Sequence, residues 1–182
     1  MSVVQLRGIV LVEGESDRRA VETLARRRGR DLQAEGVAVV PMGGYGNLPR
    51  LLGQYRDARL AGLYDVGEER HFLRALGCAD RGELERAGFY ACTRDLEDEL
   101  TRAVGPAGME RVLAEQGELH AFRTYQKQPA HRARPLEEQL HGFMWNRKQK
   151  YAVLLVEALD LEHVPRPLDR VLAHLQSSPA RD

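Results

Sequence analysis

Four short apolar runs, each followed by a segment of helical length, constrain the fold of this chain more than any other feature. The runs are GIVLV at Gly8–Val12, VAVVP at Val37–Pro41, AGLYD at Ala61–Asp65 and GFYAC at Gly88–Cys92. Continuous apolar runs are typical of strands buried on both faces, and helical-length connections join parallel strands. The first part of the chain therefore predicts an α/β fold with a mainly parallel four-stranded sheet flanked by helices.

Helical signals replace the strand pattern after about residue 104. We predict an α/β core over residues 1–104, a helical extension packed on it over 105–176, and a disordered tail over 177–182. Within the extension, the polar, basic and proline-punctuated stretch Phe122–Pro135 is predicted to be a loop. In the core, Ser16 is the predicted N-cap of a helix that continues to about Arg28.

The charge balance limits how the chain can bind nucleic acid. Lys and Arg number 27, as do Asp and Glu, so the formal net charge is zero. That balance argues against binding by bulk charge alone. The charge is segregated locally, however, because residues 123–150 hold seven Lys and Arg against two acids. Any nucleic-acid contact is therefore expected to use local basic patches.

Two cysteines, Cys78 and Cys92, provide neither a disulfide framework nor a CxxC metal site. Cys92 lies in an apolar run and is expected to be a buried core residue. The histidines show no HExxH pairing, so we expect no zinc site. The first apolar run is short and carries Arg7 and Glu13, which excludes a signal peptide, and no segment suits a membrane span. These features indicate a reduced, soluble, cytoplasmic protein.

Acidic side chains follow three of the four predicted strands. Glu13 follows the first strand, Asp65 ends the third, and Asp95 and Glu97 follow the fourth. Because the carboxyl ends of parallel strands meet at one edge of a sheet, these side chains should converge. Crowded carboxylates repel one another and are costly to bury, and Mg²⁺ or Mn²⁺, which prefers oxygen ligands, relieves that cost. We therefore predict a metal site suited to displacement at phosphorus.

The motif VEGESD at Val12–Asp17, together with LYD at Leu63–Asp65, resembles a TOPRIM domain. Within that group the chain is most similar to nucleases of the OLD (overcoming lysogenization defect) family, whose TOPRIM domain carries a VEGxxD/E-type motif and a downstream lysine. Lys150, in KQKYAVLLVEAL, matches that lysine. The resemblance implies a Rossmann-like TOPRIM sheet, divalent-metal-dependent cleavage of nucleic acid and an ATPase partner.

The resemblance also implies roles for individual residues. Glu13 would be the catalytic residue and a metal ligand, with Asp17 and Asp65 as further ligands. Lys150 would stabilise charge on the phosphate in the transition state, unless it is an ordinary surface lysine. Glu97 is either a further ligand or a favourable charge in the first turn of a helix. Glu15, between the two motif acids, is expected to face solvent.

The chain departs from the TOPRIM pattern at one position. TOPRIM domains typically carry Asp-x-Asp after the third strand, whereas this chain has Asp65, Val66 and Gly67. Glu68 or Glu69 could supply the missing ligand, and Glu69 is the residue that we assign to the metal. The departure places two-metal cleavage in doubt more than metal binding itself.

Two further segments are candidates for nucleic-acid contact. The glycine-rich loop MGGYGN offers the backbone of Gly43 and Gly44 and the side chain of Asn47, although the pattern favours a plain tight strand-to-helix turn. Its spacing is not GxGxxG, and the chain contains no GK[ST], which excludes a dinucleotide or P-loop site. The basic stretch is either a phosphate-binding segment or a solvated loop. It contains Arg123, Lys127, Arg132 and Arg134, with Tyr125 available for stacking.

The sequence thus predicts a Mg²⁺- or Mn²⁺-dependent TOPRIM endonuclease that acts on DNA in preference to RNA. Because the chain lacks a P-loop, any ATP hydrolysis would come from a separate ABC-type ATPase subunit. The alternative is a catalytically degenerate TOPRIM module that binds nucleic acid or the ATPase without cleavage. A third alternative is another TOPRIM chemistry, such as RNA processing or primer synthesis. A topoisomerase is disfavoured because nothing here supplies its separate tyrosine-bearing domain.

Overall fold

The computed structural model describes residues 6–176 and contains one four-stranded sheet within that range. All pairings are parallel, and the strand order is β2-β1-β3-β4. The strands are β1 Gly8–Val12, β2 Val37–Pro41, β3 Arg59–Asp65 and β4 Phe89–Cys92. The predicted α/β fold, with a mainly parallel four-stranded sheet flanked by helices, is confirmed.

Nine α-helices accompany the sheet within the described residues. Short 3₁₀ turns at Tyr45–Asn47, Val66–Glu68, Trp145–Arg147 and Leu161–His163 connect some of them. The helices are α1 Glu15–Arg27, α2 Leu48–Gln54, α3 Glu69–Leu76, α4 Arg81–Arg86, α5 Leu96–Glu115, α6 Leu119–Lys127, α7 Leu136–Met144, α8 Lys148–Ala158 and α9 Arg166–Gln176.

The central strand β1 explains why its run is apolar throughout. All five of its residues are buried, and alternate side chains face opposite sides of the sheet. Val10 and Val12 pack into a core formed with α1, α5, α8 and α9. Ile9 and Leu11 pack into a second core with α2, α3 and α4. The sheet is therefore covered on both faces, and its carboxyl edge remains for a functional site.

Helix α5 changes direction near the predicted start of the helical extension. Gly105 has φ +73° and is followed by Pro106, so the regular hydrogen bonding is interrupted there. After this bend, the helices of residues 105–176 bury side chains in the same core as α1. None of the helices within residues 6–176 is long and apolar enough to cross a membrane. The predicted tail at residues 177–182 lies outside the described range.

Two local predictions were wrong. The N-cap of α1 is Gly14 rather than Ser16, because the carboxylate of Asp17 accepts the Gly14 N–H at 3.0 Å and fixes the start of the helix two residues earlier. The stretch Phe122–Pro135 is only partly a loop, since α6 continues to Lys127. Phe122 is buried in the core, and its burial stabilises α6 in a stretch whose polar composition predicts a loop.

Candidate metal centre

The carboxyl ends of the strands open into a cleft of about 470 Å³. The convergence that the sequence predicted is present, because acids from three strand ends share this cleft. Its charged side chains are Glu13, Asp17, Asp65, Asp95, Glu97 and Lys148. We refer to this group and the space between them as the acidic cleft.

The motif acids of β1 and α1 reach the acidic cleft in different ways. Glu13 leaves the end of β1 and is exposed. Asp17 is half-buried in the first turn of α1, where its carboxylate also accepts the backbone N–H of Gly14 at 3.0 Å. Glu15, the first residue of α1, instead pairs with Arg18 of the same helix at 2.5 Å. Glu13 and Asp17 therefore face the cleft, while the acid between them is paired on the helix surface.

Helix α5 contributes two acids through its first turn. Asp95 is the N-cap and accepts the N–H of Asp98 at 2.8 Å. Glu97 is 6% exposed, and its Oε1 atom is buried without a hydrogen-bond partner. Its Oε2 atom lies 3.6 Å from Nζ of Lys148. An unpaired buried carboxylate oxygen is costly, so this atom of Glu97 is an acceptor available to a cation or a hydrogen-bond donor.

The electrostatics of the acidic cleft disfavour its anions. Burial, followed by the charge of Glu97, raises the pKa of Asp17 to about 7 from an ordinary value of 3.8. Burial and the neighbouring Glu13 also raise the pKa of Asp65 well above its usual range. Glu68 follows the same pattern, with burial and then Glu13 raising its pKa. These carboxylates repel one another because the cleft supplies too little positive charge.

Asp95 is the exception among the acids of the cleft. Burial acts to raise its pKa, but the hydrogen bond from His141 and that from the Asp98 N–H outweigh this effect, so the pKa of Asp95 is lowered. Nε2 of His141 lies 2.7 Å from Oδ2 of Asp95. Asp95 is therefore held as a carboxylate and is fixed in position by α7.

The donor set fits a hard divalent cation. Carboxylate oxygens suit Mg²⁺ or Mn²⁺, and Mg²⁺ is usually held by one or two carboxylates together with water and phosphate oxygens. Within residues 6–176, no three acidic, histidine or cysteine side chains surround a common point closely enough to hold an ion by themselves. The orphaned oxygen of Glu97 and the raised pKa values of Asp17 and Asp65 are the observations that a cation would relieve.

The lysine that lines the acidic cleft is Lys148, and Lys150 lies outside it. Nζ of Lys150 donates to Glu118 at 3.0 Å. Residues two apart on a helix point in different directions, so only one of these lysines can face the cleft. Lys148 begins α8, where a cation is unfavourable beside the positive end of the helix, and its contacts with Glu97 and Trp145 compensate.

Glu69 also lies away from the cleft. Its carboxylate contacts Arg81 at 2.5 Å and accepts the hydroxyl of Tyr64 at 3.2 Å. Glu68, one position earlier, is close enough to Glu13 for that charge to raise its pKa. Neither Glu68 nor Glu69 lines the cleft: Glu69 is held by Arg81, and Glu68 is the acid adjacent to Gly67, where the second aspartate is missing.

The glycine-rich loop contributes backbone to the cleft. Gly43 and Gly44 line the cleft, with φ values of +67° and +111° that favour glycine. The side chain of Asn47 turns inward and donates to the carbonyl of Met42 at 2.8 Å. The loop can thus present backbone to a ligand through the two glycines, whereas Asn47 holds the turn together.

The basic segment is divided between paired and free side chains. Arg123 pairs with Glu110 on the surface of α5. In the described part of the chain, Lys127, Arg132 and Arg134 are exposed and form no salt bridge. Tyr125 is half-buried and stacks on His131, with ring centroids 3.9 Å apart, so it belongs to the packing of α6 and α7.

The sequence does not identify Lys148 and Trp145 as residues of the cleft wall, and it gives Asp95 no individual role there. Lys148 was overlooked in favour of Lys150, although both lie in KQK and a helical register would have separated them. Asp95 was noted at the strand end, but its partner His141 is 46 residues away and no local pattern connects them. Trp145 carried no signal beyond its residue type.

Comparisons with known proteins support the resemblance. The model of the family "Overcoming lysogenization defect protein-like, TOPRIM domain" matches residues 6–60. The predicted resemblance to the OLD-like TOPRIM domain is confirmed. TOPRIM domains generally bind divalent metal ions, and the matched segment contains Glu13 and Asp17. No curated protein sequence matches the chain.

Solved structures share the fold over nearly the whole chain. The C-terminal region of the Burkholderia pseudomallei OLD protein is 18% identical with a TM-score of 0.71, covering 93% of this chain and 97% of that one. The C-terminal region of the Xanthomonas campestris pv. campestris OLD protein, in a platinum-phased structure, is 22% identical with a TM-score of 0.71 and coverage of 93% and 91%. The chain therefore has the fold of these OLD C-terminal regions, helical extension included.

Proposed function

We propose that the chain cleaves phosphodiester bonds of nucleic acid at the acidic cleft with a bound Mg²⁺ or Mn²⁺ ion. The observation that supports this most is the combination of raised pKa values at Asp17 and Asp65 with the orphaned oxygen of Glu97. Such perturbed groups in one cleft are typical of functional sites. The TOPRIM resemblance supplies the reaction class.

Each residue has a proposed task. Asp17, Asp65 and Glu97 hold the divalent ion, which when bound supplies positive charge for the phosphate and for its developing negative charge. Glu13, exposed at the end of β1, accepts a proton from the attacking water or holds the ion. Lys148 donates to a non-bridging phosphate oxygen, the task that sequence similarity had assigned to Lys150.

Positive charge and backbone outside the cleft support binding of the substrate strand. The N–H groups of Gly43 and Gly44 suit phosphate oxygens. Lys127, Arg132 and Arg134 are exposed on the segment between the end of α6 and the start of α7, and Trp145 follows the other end of α7. The proposed substrate is DNA in preference to RNA, and a separate ABC-type ATPase subunit is a proposed partner on the resemblance alone.

One observation favours a second candidate function. Gly67 stands where TOPRIM domains carry a second aspartate, and Glu69 pairs with Arg81 instead of replacing it. A chain with a weakened site would bind metal and nucleic acid without cleavage. This degenerate module is distinguished from the nuclease by activity alone.

The test is nicking of supercoiled plasmid by the full chain with Mg²⁺ and with Mn²⁺. We expect the wild type to cut and the Glu13→Ala and Asp65→Ala variants to lose cleavage. Glu15→Ala is the matched control, because Glu15 lies in the same motif but pairs with Arg18 outside the cleft. Metal binding is measured in parallel by calorimetry.

Each outcome separates the candidates. Cleavage that survives both Glu13→Ala and Asp65→Ala would remove the acidic cleft as the site. If the wild type binds Mn²⁺ but cuts neither DNA nor RNA, the degenerate module replaces the nuclease. Equal loss in Glu15→Ala would point to a folding defect and would reject the assignment of roles within the motif.

A further inference from the structure

Trp145 is an exposed aromatic side chain on the wall of the acidic cleft. It is the one tryptophan of the chain, it lines the cleft, and 58% of its surface is exposed. Burying an aromatic side chain of this size is strongly favourable, so an indole left open beside charged groups offers contact area to a ligand. The metal chemistry proposed for the cleft makes no use of it.

The ring is held in place before any ligand binds. Trp145 begins the 3₁₀ turn Trp145–Arg147 between α7 and α8. Nζ of Lys148 lies 4.4 Å from the ring centroid, and the His141 ring lies 5.7 Å away at 48°. His141 is itself fixed by its contact with Asp95 at 2.7 Å. A preordered ring loses little entropy when a flat partner stacks on it.

A second exposed aromatic flanks the cleft on the other side of the sheet. Tyr45 is 41% exposed and follows Gly44, which lines the cleft. It stacks on His71 of α3 with centroids 4.0 Å apart. Helices α2 and α3 pack on the face opposite to α7 and α8. The acidic cleft therefore has one exposed aromatic side chain on each flank.

The chemistry of the partner follows from its neighbours. A ligand that places a phosphodiester beside Lys148 and a flat aromatic group on Trp145 is a nucleotide chain with an accessible base. In a continuous duplex the faces of the bases are stacked on one another, whereas unpaired bases can stack on aromatic side chains, and every base has a suitable face.

We propose that Trp145 stacks on an unpaired nucleobase next to the phosphate held in the acidic cleft, so that the site takes single-stranded nucleic acid or unpaired ends in preference to continuous duplex. The proposal rests on the phosphodiester-cleaving function proposed above. Tyr45 provides a second stacking surface for the strand on the opposite flank.

The test uses the fluorescence of Trp145, which no other tryptophan obscures. The full chain, with Ca²⁺ as the divalent ion to support binding, is titrated with a short single-stranded DNA, the same sequence as RNA, a blunt duplex, and an abasic strand with the same phosphates. We expect quenching by single strands that carry bases and little by the duplex or the abasic strand. Quenching by the DNA or by the RNA strand alone identifies which of the two the site takes.

Variants separate stacking from folding. Trp145→Ala should weaken binding of the single strand by about 5-fold or more, which is the loss of affinity expected when one base loses its aromatic stacking partner. Trp145→Phe should restore most of the affinity, because it keeps an aromatic face, and binding is followed by the anisotropy of a labelled strand. Recovery of single-strand affinity in Trp145→Phe would show that an aromatic face is needed for binding. A side chain as exposed as Trp145 would not give this result through a structural role alone.

The outcomes separate this proposal from the nuclease proposal. Quenching that is equal for the abasic strand or the duplex, or single-strand binding unchanged in Trp145→Ala, overturns base stacking and leaves metal-dependent plasmid nicking intact. A wild type that neither binds nor cuts any of these substrates overturns both proposals together. Metal-dependent nicking by the wild type, together with a fall in single-strand affinity in Trp145→Ala that Trp145→Phe restores, supports both.

Discussion

The carboxylate of Glu118 and the carboxylates of the acidic cleft have opposite electrostatic surroundings. At Glu118, Lys150 donates at 3.0 Å, the hydroxyl of Tyr151 donates, and Arg147 lies within 3.7 Å. Burial acts to raise the pKa of Glu118, but these partners lower it. In the acidic cleft, Asp17 has a raised pKa instead. A paired carboxylate stabilises the fold it belongs to, whereas carboxylates without enough counter-charge mark a site for a cationic ligand.

The largest expected difference between the two groups is in cleavage. Asp65→Asn should lower the rate of Mn²⁺-dependent nicking by about 10²–10³-fold, the scale of losing one group that stabilises transition-state charge. Glu118→Gln should leave the rate near that of the wild type and lower the melting temperature by about 2–8 °C, because hydrogen bonds to a charged group are lost. Initial nicking rates and calorimetry measure the two effects. An equal loss of cleavage in Glu118→Gln would erase the contrast.

The two lysines provide the next test. Lys148→Met should lower the rate constant of cleavage by about 100-fold, because a donor to the phosphate is removed while the hydrophobic stem remains. Lys150→Met is the matched control, since Lys150 contacts Glu118 outside the cleft. Single-turnover kinetics at saturating substrate measure the effect. A larger loss in Lys150→Met would restore the assignment made from the sequence.

Gly67 allows the cleft to be strengthened. A Cβ atom at Gly67 would meet nothing within 4 Å, so aspartate can be accommodated there. Gly67→Asp restores the Asp-x-Asp pattern and should tighten Mn²⁺ binding roughly tenfold through an added carboxylate ligand. Gly53→Asp is the control, because that site is equally open and lies in α2. Calorimetric titration measures both, and equal affinities would show that position 67 does not reach the ion.

The smallest expected effect is on stability as a function of pH. The pKa of Asp17 is about 7 in the folded chain and ordinarily 3.8, so the unfolded chain binds fewer protons between these values. Without metal, the melting temperature should therefore fall as pH rises from about 4 to about 8, and Asp65 contributes in the same direction. Asp17→Asn should raise the melting temperature by about 5 °C at pH 8 and change it little at pH 4. Parallel profiles for wild type and variant would contradict this.

The sheet and the convergence of acids could be predicted because they depend on local patterns. The run Gly8–Val12 is apolar throughout since both faces of β1 are buried, and Glu13 and Asp65 follow from the strand ends. Two other features could not be predicted from local patterns. The start of α1 depends on the Asp17 side chain, which reaches back to the N–H of Gly14. The helical part of Phe122–Pro135 depends on the burial of Phe122 in the core.

The sequence also does not determine which of two neighbouring residues faces the cleft. The position of Glu69 away from the cleft depends on Arg81 of α4, whose guanidinium lies 2.5 Å from the Glu69 carboxylate. Whether Lys148 or Lys150 faces the cleft depends on the direction in which α8 leaves the 3₁₀ turn Trp145–Arg147. One step along a helix rotates a side chain by about 100°, so the motif locates the helix and only packing selects the side chain.

The packing of α8 along α1 has a consequence for motion at the cleft. Lys148 begins α8 and Asp17 lies in the first turn of α1, so the cation and the carboxylate are mounted on two helices joined through the buried core. Arg27 of α1 further donates to the carbonyls of Val156 and Leu159 at the end of α8. Because both helices are anchored in the close-packed interior, we expect motion of the surrounding loops to change the separation of Lys148 and Asp17 little.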